Sequence, residues 1–446
     1  MTSLRAALAA LILVVVGLSG GGIAQPVQGQ DVFDQRTGPQ VKTDTVTAQR
    51  FDDGRMWTFD APPLDYFEER YGFRPDEAWL EKARLGTLRI PGCTASLVSP
   101  NGLMLTNHHC ARSHATKVGR AGEQILQNGF YASSLDAERR VPELYADQLD
   151  EITDVTDVVR QAMASAQTDA ERMQARQEVT DSLTTALVAQ AGGEGYHAEI
   201  IALYDGAQYK GYTFRRYTDV RLVMIPELQL GYFGGDTDNF TYPRYALDMS
   251  LFRVYGENGE PLQSEHYFEW DPQGSRPGDA TFVVGNPGST LRLETYEQLL
   301  FRRDVQDVNL LETLEGRVNA LQAYVDDTQD PSEDWQNRVF SLKNALKLYR
   351  GRVEALNDGY VMARIQKGDV QFRQAIQQTD SLRAQYGGLL DSMAAIQEQK
   401  RELADAYQAF RLMESSYASA TLRRALTLLR SGAASGSPPQ RVLDAL

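Results

Sequence analysis

CTASLVSPNGLMLTNHHC, residues 93–110, holds both cysteines of the chain and two of its five histidines. Two short runs of alternating character, Ala95–Ser99 and Leu103–Asn107, flank Pro100-Asn101-Gly102. Turn residues of that kind between apolar runs predict a β-hairpin. The cysteines then stand at its two outer ends, with His108 and His109 directly before the second.

Working outward, the first residues set the compartment. Arg5 precedes an apolar run from Ala6 to Leu18, and Gly22-Ile23-Ala24 before Gln25 has the small residues of a cleavage site. A bilayer span needs about 18–20 apolar residues, more than this run supplies, so residues 1–24 read as a signal peptide rather than a retained anchor. No later segment is long and apolar enough to span. Export to the periplasm or beyond puts Cys93 and Cys110 in an oxidising space, where an even, minimal count favours one disulfide over a metal site. His114, His197 and His266 are scattered, so no second ligand pair lies at zinc spacing, and no metal or cofactor is implied. A length of 446 residues predicts two or three units. A formal charge of −15 with no basic cluster argues against a nucleic-acid surface.

Along the chain, residues 25–60 are polar and read as an extended lead-in that ends as a strand near Met56-Trp57-Thr58-Phe59. From Asp154 to Ala191 the text is rich in Ala, Gln and charge and lacks Pro and Gly, which is helical composition, and Gly192-Gly193 stops it. Strand text returns in AEIIALYD (198–205), YKGYTFRRY (209–217) and DVRLVMIP (219–226), and continues in MSLFRVYG (249–256) and ATFVVGNPG (280–288). After Thr290 the character turns helical. Leu389, Met393, Ile396, Leu403, Tyr407 and Phe410 recur at helical spacing and predict one buried face. The fold class is α+β.

A histidine held beside a disulfide at the end of a hairpin, in an exported protein, suits a general base, because the bridge fixes the backbone next to the imidazole. In this the 93–110 stretch resembles chymotrypsin-type proteases, and by that match the base is His109. The bland alternative is a buried, hydrogen-bonded histidine next to a stabilising bridge. His108 is a neighbour without an assigned role.

Further along stands FGGDTDNFTYPRYALDMSLFRVYG (233–256). Taken with GCTASLVSPNGLMLTNHHC (92–110) and VVGNPGST (283–290), it resembles the bacterial dipeptidyl-peptidase 7 and dipeptidyl-peptidase 11 family of exported serine exopeptidases, from about Ala61 onward. The resemblance implies a chymotrypsin-like double β-barrel with a His-Asp-Ser triad, and a large helical domain that restricts the cleft to peptides with free N-termini. It implies His109 as base, Asp248 as triad acid and Asn239 as a ligand for the substrate's terminal ammonium. Phe240 stands where the family usually has tryptophan, which keeps an apolar wall but loses the indole N–H. Thr241-Tyr242-Pro243-Arg244-Tyr245 departs from the usual Trp-Pro-Arg-His text while keeping Pro243 and Arg244. Asn344, in SLKNALKLYRG (341–351), matches the asparagine of a helix that reaches the substrate amine. On their own residues, Asp236 and Asp238 beside Gly-Gly read as turn formers. Asp248 opens an apolar strand, where a carboxylate needs a partner such as an imidazole N–H.

The implied organisation is a signal peptide (1–24), an N-terminal segment with the first part of a barrel (25–150), a helical insertion (151–193), the rest of that barrel (194–290) and a helical cap domain (291–446). A triad also needs a serine on a glycine turn. Ser435-Gly436-Ser437-Pro438 reproduces the family's tetrapeptide, but it follows helical text in linker-like composition. The expectation is therefore a chain that carries base, acid and amine-binding part, with the serine and second barrel beyond residue 446. The resemblance also suggests a homodimer. The competing readings are a non-catalytic peptide-binding remnant and an endoprotease of the same barrel class.

Overall fold

The computed structural model describes residues 42–52, 54–231, 239–287, 292–328 and 333–406, with scattered positions beyond. The expected signal peptide, Asp236, Asp238, Tyr407, Phe410 and Ser435 lie outside the described residues. Among the described residues no helix is long and apolar enough to cross a membrane.

Three strands follow one another: β1 (Thr87–Ile90), β2 (Cys93–Leu97) and β3 (Leu103–Thr106). The hairpin predicted at Pro100-Asn101-Gly102 forms, with Ser96 opposite Leu105. Gly102 closes it at φ +67°, and a Cβ there would stand 2.6 Å from the Val254 carbonyl oxygen, so no other residue fits. The later strands are β4 (Phe130–Tyr131), β5 (Arg139–Arg140), β6 (Ala146–Asp154), β7 (Tyr196–Leu203), β8 (Gln208–Tyr217), β9 (Asp219–Ile225) and β10 (Ser250–Tyr255). Among the described residues they form one sheet in the order β4-β9-β10-β3-β2-β1-β6-β8-β7, with β5 on β9, and every pairing is antiparallel. Leu88, Leu97, Met104, Leu222, Phe252 and Val254 are fully buried in its core. Each such side chain contributes about 1.5–3 kcal/mol by leaving water. Ala111 and Ala115, on the helix His108–Ala115, pack into the same core.

Between β6 and β7 lie two helices, Thr156–Ala164 and Asp169–Ala191. Thr168 starts the second with a reciprocal capping box to Glu171, and Gly192 at φ +119° ends it. Past residue 292 the described residues are mainly helical: Tyr296–Phe301, Asp307–Asp327, Glu333–Leu356, Gly359–Gln378, Asp380–Tyr386 and Leu389–Glu402.

Four local expectations are corrected. His109 does not end the hairpin; it sits in the first turn of a helix. Met56–Phe59 is no strand, because Trp57 instead packs edge-on against Phe67, with ring centroids 5.1 Å apart. Residues 280–287 join no ladder: Phe282 turns into the same aromatic group, 5.1 Å from Phe67 and 5.4 Å from Trp79, and the Asn286 N–H donates to the Thr94 hydroxyl. The stripe at Leu389, Ile396 and Leu403 faces outward, at 40%, 52% and 64% exposure, while Gln397 is the buried residue of that helix. Periodicity marks a face without saying what covers it.

Candidate active site

The register of β3 on β10 sets Thr106 opposite Ser250. The chain leaving β3 and the chain entering β10 therefore run side by side, and Asn107, His108 and His109 meet Asp248. His109 Nδ1 lies 2.9 Å from Asp248 Oδ2 and 3.1 Å from Oδ1. The imidazole is half-buried and the carboxylate almost fully so. Asp248 Oδ1 also accepts the main-chain N–H of His109 at 3.0 Å. That N–H belongs to the first turn of the helix, where no intrahelical carbonyl reaches it.

The carboxylate thus caps the helix from a distant segment. Asn107, at the usual cap position, makes no capping bond with its own side chain. Its Nδ2 instead donates to the Asp248 main-chain carbonyl at 3.0 Å and to Oδ2 at 3.2 Å. Arg244 approaches Oδ2 at 3.4 Å. Burial pushes the Asp248 carboxyl up, but the bonds from the His109 ring and N–H, with the positive charge of Arg244, outweigh it and hold the group below its ordinary value. An ionised carboxylate against Nδ1 keeps the proton on that nitrogen and leaves Nε2 as the basic one. Such a pair can orient a general base.

Cys93 and Cys110 are joined by a disulfide with the two Cα atoms 6.2 Å apart, which ties the residue after His109 to the start of β2. Cys93, His109 and Cys110 offer donor atoms within 4.8 Å of one another. With the sulfurs bonded to each other, neither is a thiolate, the form a metal would need.

Asn239 is fully buried, and its Nδ2 donates to Asn344 Oδ1 at 3.1 Å, so these two residues meet across 105 positions of sequence. The Asn239 Oδ1 atom is buried and has no hydrogen-bond partner among the described residues. Phe240 beside it is 56% exposed and adopts φ +61°, a left-handed conformation that is uncommon for an aromatic residue. His108 is fully buried; its Nε2 lies 3.2 Å from the Pro226 carbonyl oxygen. Burial, helped by the charge of Arg112, lowers that ring to about 4, so it is neutral near pH 7.

A family model described as Peptidase S46 matches residues 51–438. The chain belongs to the peptidase S46 family. Among curated members, the Asp/Glu-specific dipeptidyl-peptidase of Porphyromonas endodontalis is 33% identical over 257 residues, 52% of this chain and 36% of that protein. Dipeptidyl-peptidase 7 of Capnocytophaga gingivalis is 25% identical over 321 residues, 70% of this chain and 43% of that one. The crystal structure of Porphyromonas endodontalis DPP11 in complex with the dipeptide Arg-Glu superposes with a TM-score of 0.68 at 24% identity, over 81% of this chain and 54% of that one. At that identity the likeness speaks for the fold. The S46 chain described here thus spans about half the length of these relatives or less.

Sequence reasoning missed Asn107 and left His108 without a role. An asparagine directly before a helix suggests a cap, but its turn is toward Asp248, 141 residues away in sequence. The role of His108 depends equally on contacts near Pro226 and Gly231.

Proposed function

We propose that this S46 chain carries the general base, its orienting acid and the N-terminus-binding surface of a serine-type dipeptidyl peptidase, which releases dipeptides from peptides with free N-termini. The observation that carries the reading is the His109–Asp248 pair, bonded through Nδ1 beside the Cys93–Cys110 bridge. In this reading the sheet belongs to the first barrel of a chymotrypsin-like fold, with residues 151–193 inserted into it and the helices after residue 291 as the cap.

Asp248 holds the imidazole, and His109 Nε2 takes the proton of a serine hydroxyl supplied from outside the described residues. The serine oxygen attacks the carbonyl of the substrate's second residue. The tetrahedral intermediate collapses to an acyl-enzyme as His109 returns the proton to the leaving amine, and water then releases the dipeptide by the same route. Asn239 Oδ1, buried and without a hydrogen-bond partner among the described residues, is the acceptor for the terminal ammonium. Asn344 fixes its amide plane, and Phe240 forms an apolar wall beside it. The leader text and the disulfide favour a periplasmic or secreted location, and the family resemblance favours a homodimer.

The test compares peptides with free and acetylated N-termini. Acetylation should weaken binding by about 10–100-fold, the worth of a charge-assisted hydrogen bond. Equal affinity for both would overturn the amine site. Turnover of dipeptidyl reporters that survives His109→Ala would overturn the base, and turnover abolished by Ser435→Ala would make Ser435 the nucleophile.

A further inference from the structure

We propose that His108 is a positioning residue that fixes how far the amine-binding Asn239 stands from His109 and Asp248, and thereby sets the two-residue register of cleavage. The inference rests on the function proposed above. The chain that leaves at Gly231 returns at Leu247, where the Leu247 N–H donates to the Leu230 carbonyl at 2.7 Å, immediately before Asp248. Asn239 and Phe240 lie between these two points. His108 is built into that neck. Its Nε2–H donates to the Pro226 carbonyl at 3.2 Å, and its ring lies so close to Gly231 that a Cβ there would stand 2.4 Å from both Cγ and Cδ2.

The same ring belongs to the residue directly before His109 in the helix. One side chain therefore joins the helix that carries the base to the backbone at Pro226 and Gly231, next to Leu230, which pairs with Leu247 immediately before Asp248. Its Nδ1 is buried without a hydrogen-bond partner among the described residues. Leaving such an atom unpaired costs on the order of 1–3 kcal/mol, which an apolar residue of similar volume would avoid. A residue chosen only to fill this space would not be histidine. An exopeptidase that counts residues from the N-terminus needs a rigid distance between amine ligand and reacting carbonyl, and a misplacement of about 1 Å at reacting atoms costs on the order of 100-fold.

The experiment uses the full chain with three single variants and one double: His108→Phe, which keeps a ring but loses the Nε2 donor; His108→Gln, whose amide nitrogen reaches the Nε2 position; Gly231→Ala, which pushes against the ring; and His108→Phe combined with Gly231→Ala. Calorimetry gives the affinity for the dipeptide Arg-Glu and the tripeptide Arg-Glu-Ala, and thermal melts report folding separately. His108→Phe and Gly231→Ala should each weaken Arg-Glu binding about tenfold and narrow the preference between the two peptides, in keeping with a geometric error of less than 1 Å. His108→Gln should stay within about twofold, and Gly231→Ala should add little on top of His108→Phe, since both act on one contact. If His108→Phe does not fold, the Gly231→Ala and His108→Gln pair decides. A parent chain that binds Arg-Glu, with variants that match it in affinity and peptide preference, overturns this inference alone. A parent that binds no free-amine peptide overturns the proposed function and this inference with it.

Discussion

Lowering the pH from about 7.5 to about 4.5 should destabilise the fold through His108. The ring has an ordinary value of 6.5, and burial with repulsion from Arg112 lowers it to about 4 in the folded chain. The unfolded chain therefore takes up a proton below about 6.5 that the folded chain refuses until about 4. Stability from this group is complete above the upper value and drains away as the pH falls toward the lower one. A single group with those two values removes about 2–3 kcal/mol between pH 7.5 and pH 4.5. Against a total of about 5–15 kcal/mol that is a large share. His114, also lowered by burial and by Lys117, titrates in the same direction, so the total slope is not diagnostic. The difference between the parent and His108→Phe is. Glu123 and Glu199, each held at about 2 by a bond from an arginine, lose their contribution only as the pH falls through 4.5 and below. Urea unfolding at closely spaced pH values, with the m-value held constant as the check on two-state behaviour, would measure the effect. The parent's stability should fall about 2–3 kcal/mol further than the variant's. Parallel curves for the two proteins would refute the assignment of a buried, neutral His108.

Two further outcomes follow from bonds at the site. Replacing both cysteines, Cys93→Ala with Cys110→Ala, should cost about 3 kcal/mol in urea unfolding, from the loop closed by a bridge across a separation of 17 residues; a loss below about 1 kcal/mol would contradict that account. Asp248→Ala removes the bond that the His109 N–H donates to Oδ1 and should cost about 1 kcal/mol of local stability, as loss of a helix cap does. Hydrogen exchange at that one amide should accelerate several-fold, and an unchanged rate would mean that the capping bond contributes nothing.

Parts of this molecule could be read from its residues because the physics there is local. Pro100-Asn101-Gly102 dictates a turn, and the alternating runs on either side dictate strands, so β2 and β3 were legible. Gly192 marks a helix end by chemistry that acts within a few residues, whereas the single helical stretch read from Asp154 to Ala191 is divided into Thr156–Ala164 and Asp169–Ala191. The meeting of His109 with Asp248 came from family resemblance, since composition says nothing about which strand lies beside β3. The geometry explains it through one register, Thr106 against Ser250. What stayed hidden involves partners far apart in sequence: Asn107 turning to Asp248, His108 resting on Gly231, and Phe282 leaving its strand-like text for a ring cluster. The outward stripe at Leu389, Ile396 and Leu403 makes the same point in reverse.

The aromatic cluster has a bearing on synthesis. Phe51, Trp57, Tyr66, Phe67, Phe73 and Trp79 are translated early, yet Phe282, the ring that bridges Phe67, Phe73 and Trp79, arrives only after the whole sheet has been made. Until then a patch of apolar rings stands exposed on a growing chain. Contacts between segments so far apart form slowly, because the intervening chain has to be ordered first. The early rings are meanwhile a surface for association with other unfinished chains. The lead-in is therefore the last part of the sheet-bearing region to gain its final packing, although it is the first to be made, and its yield should depend on whatever shields those rings in the interval.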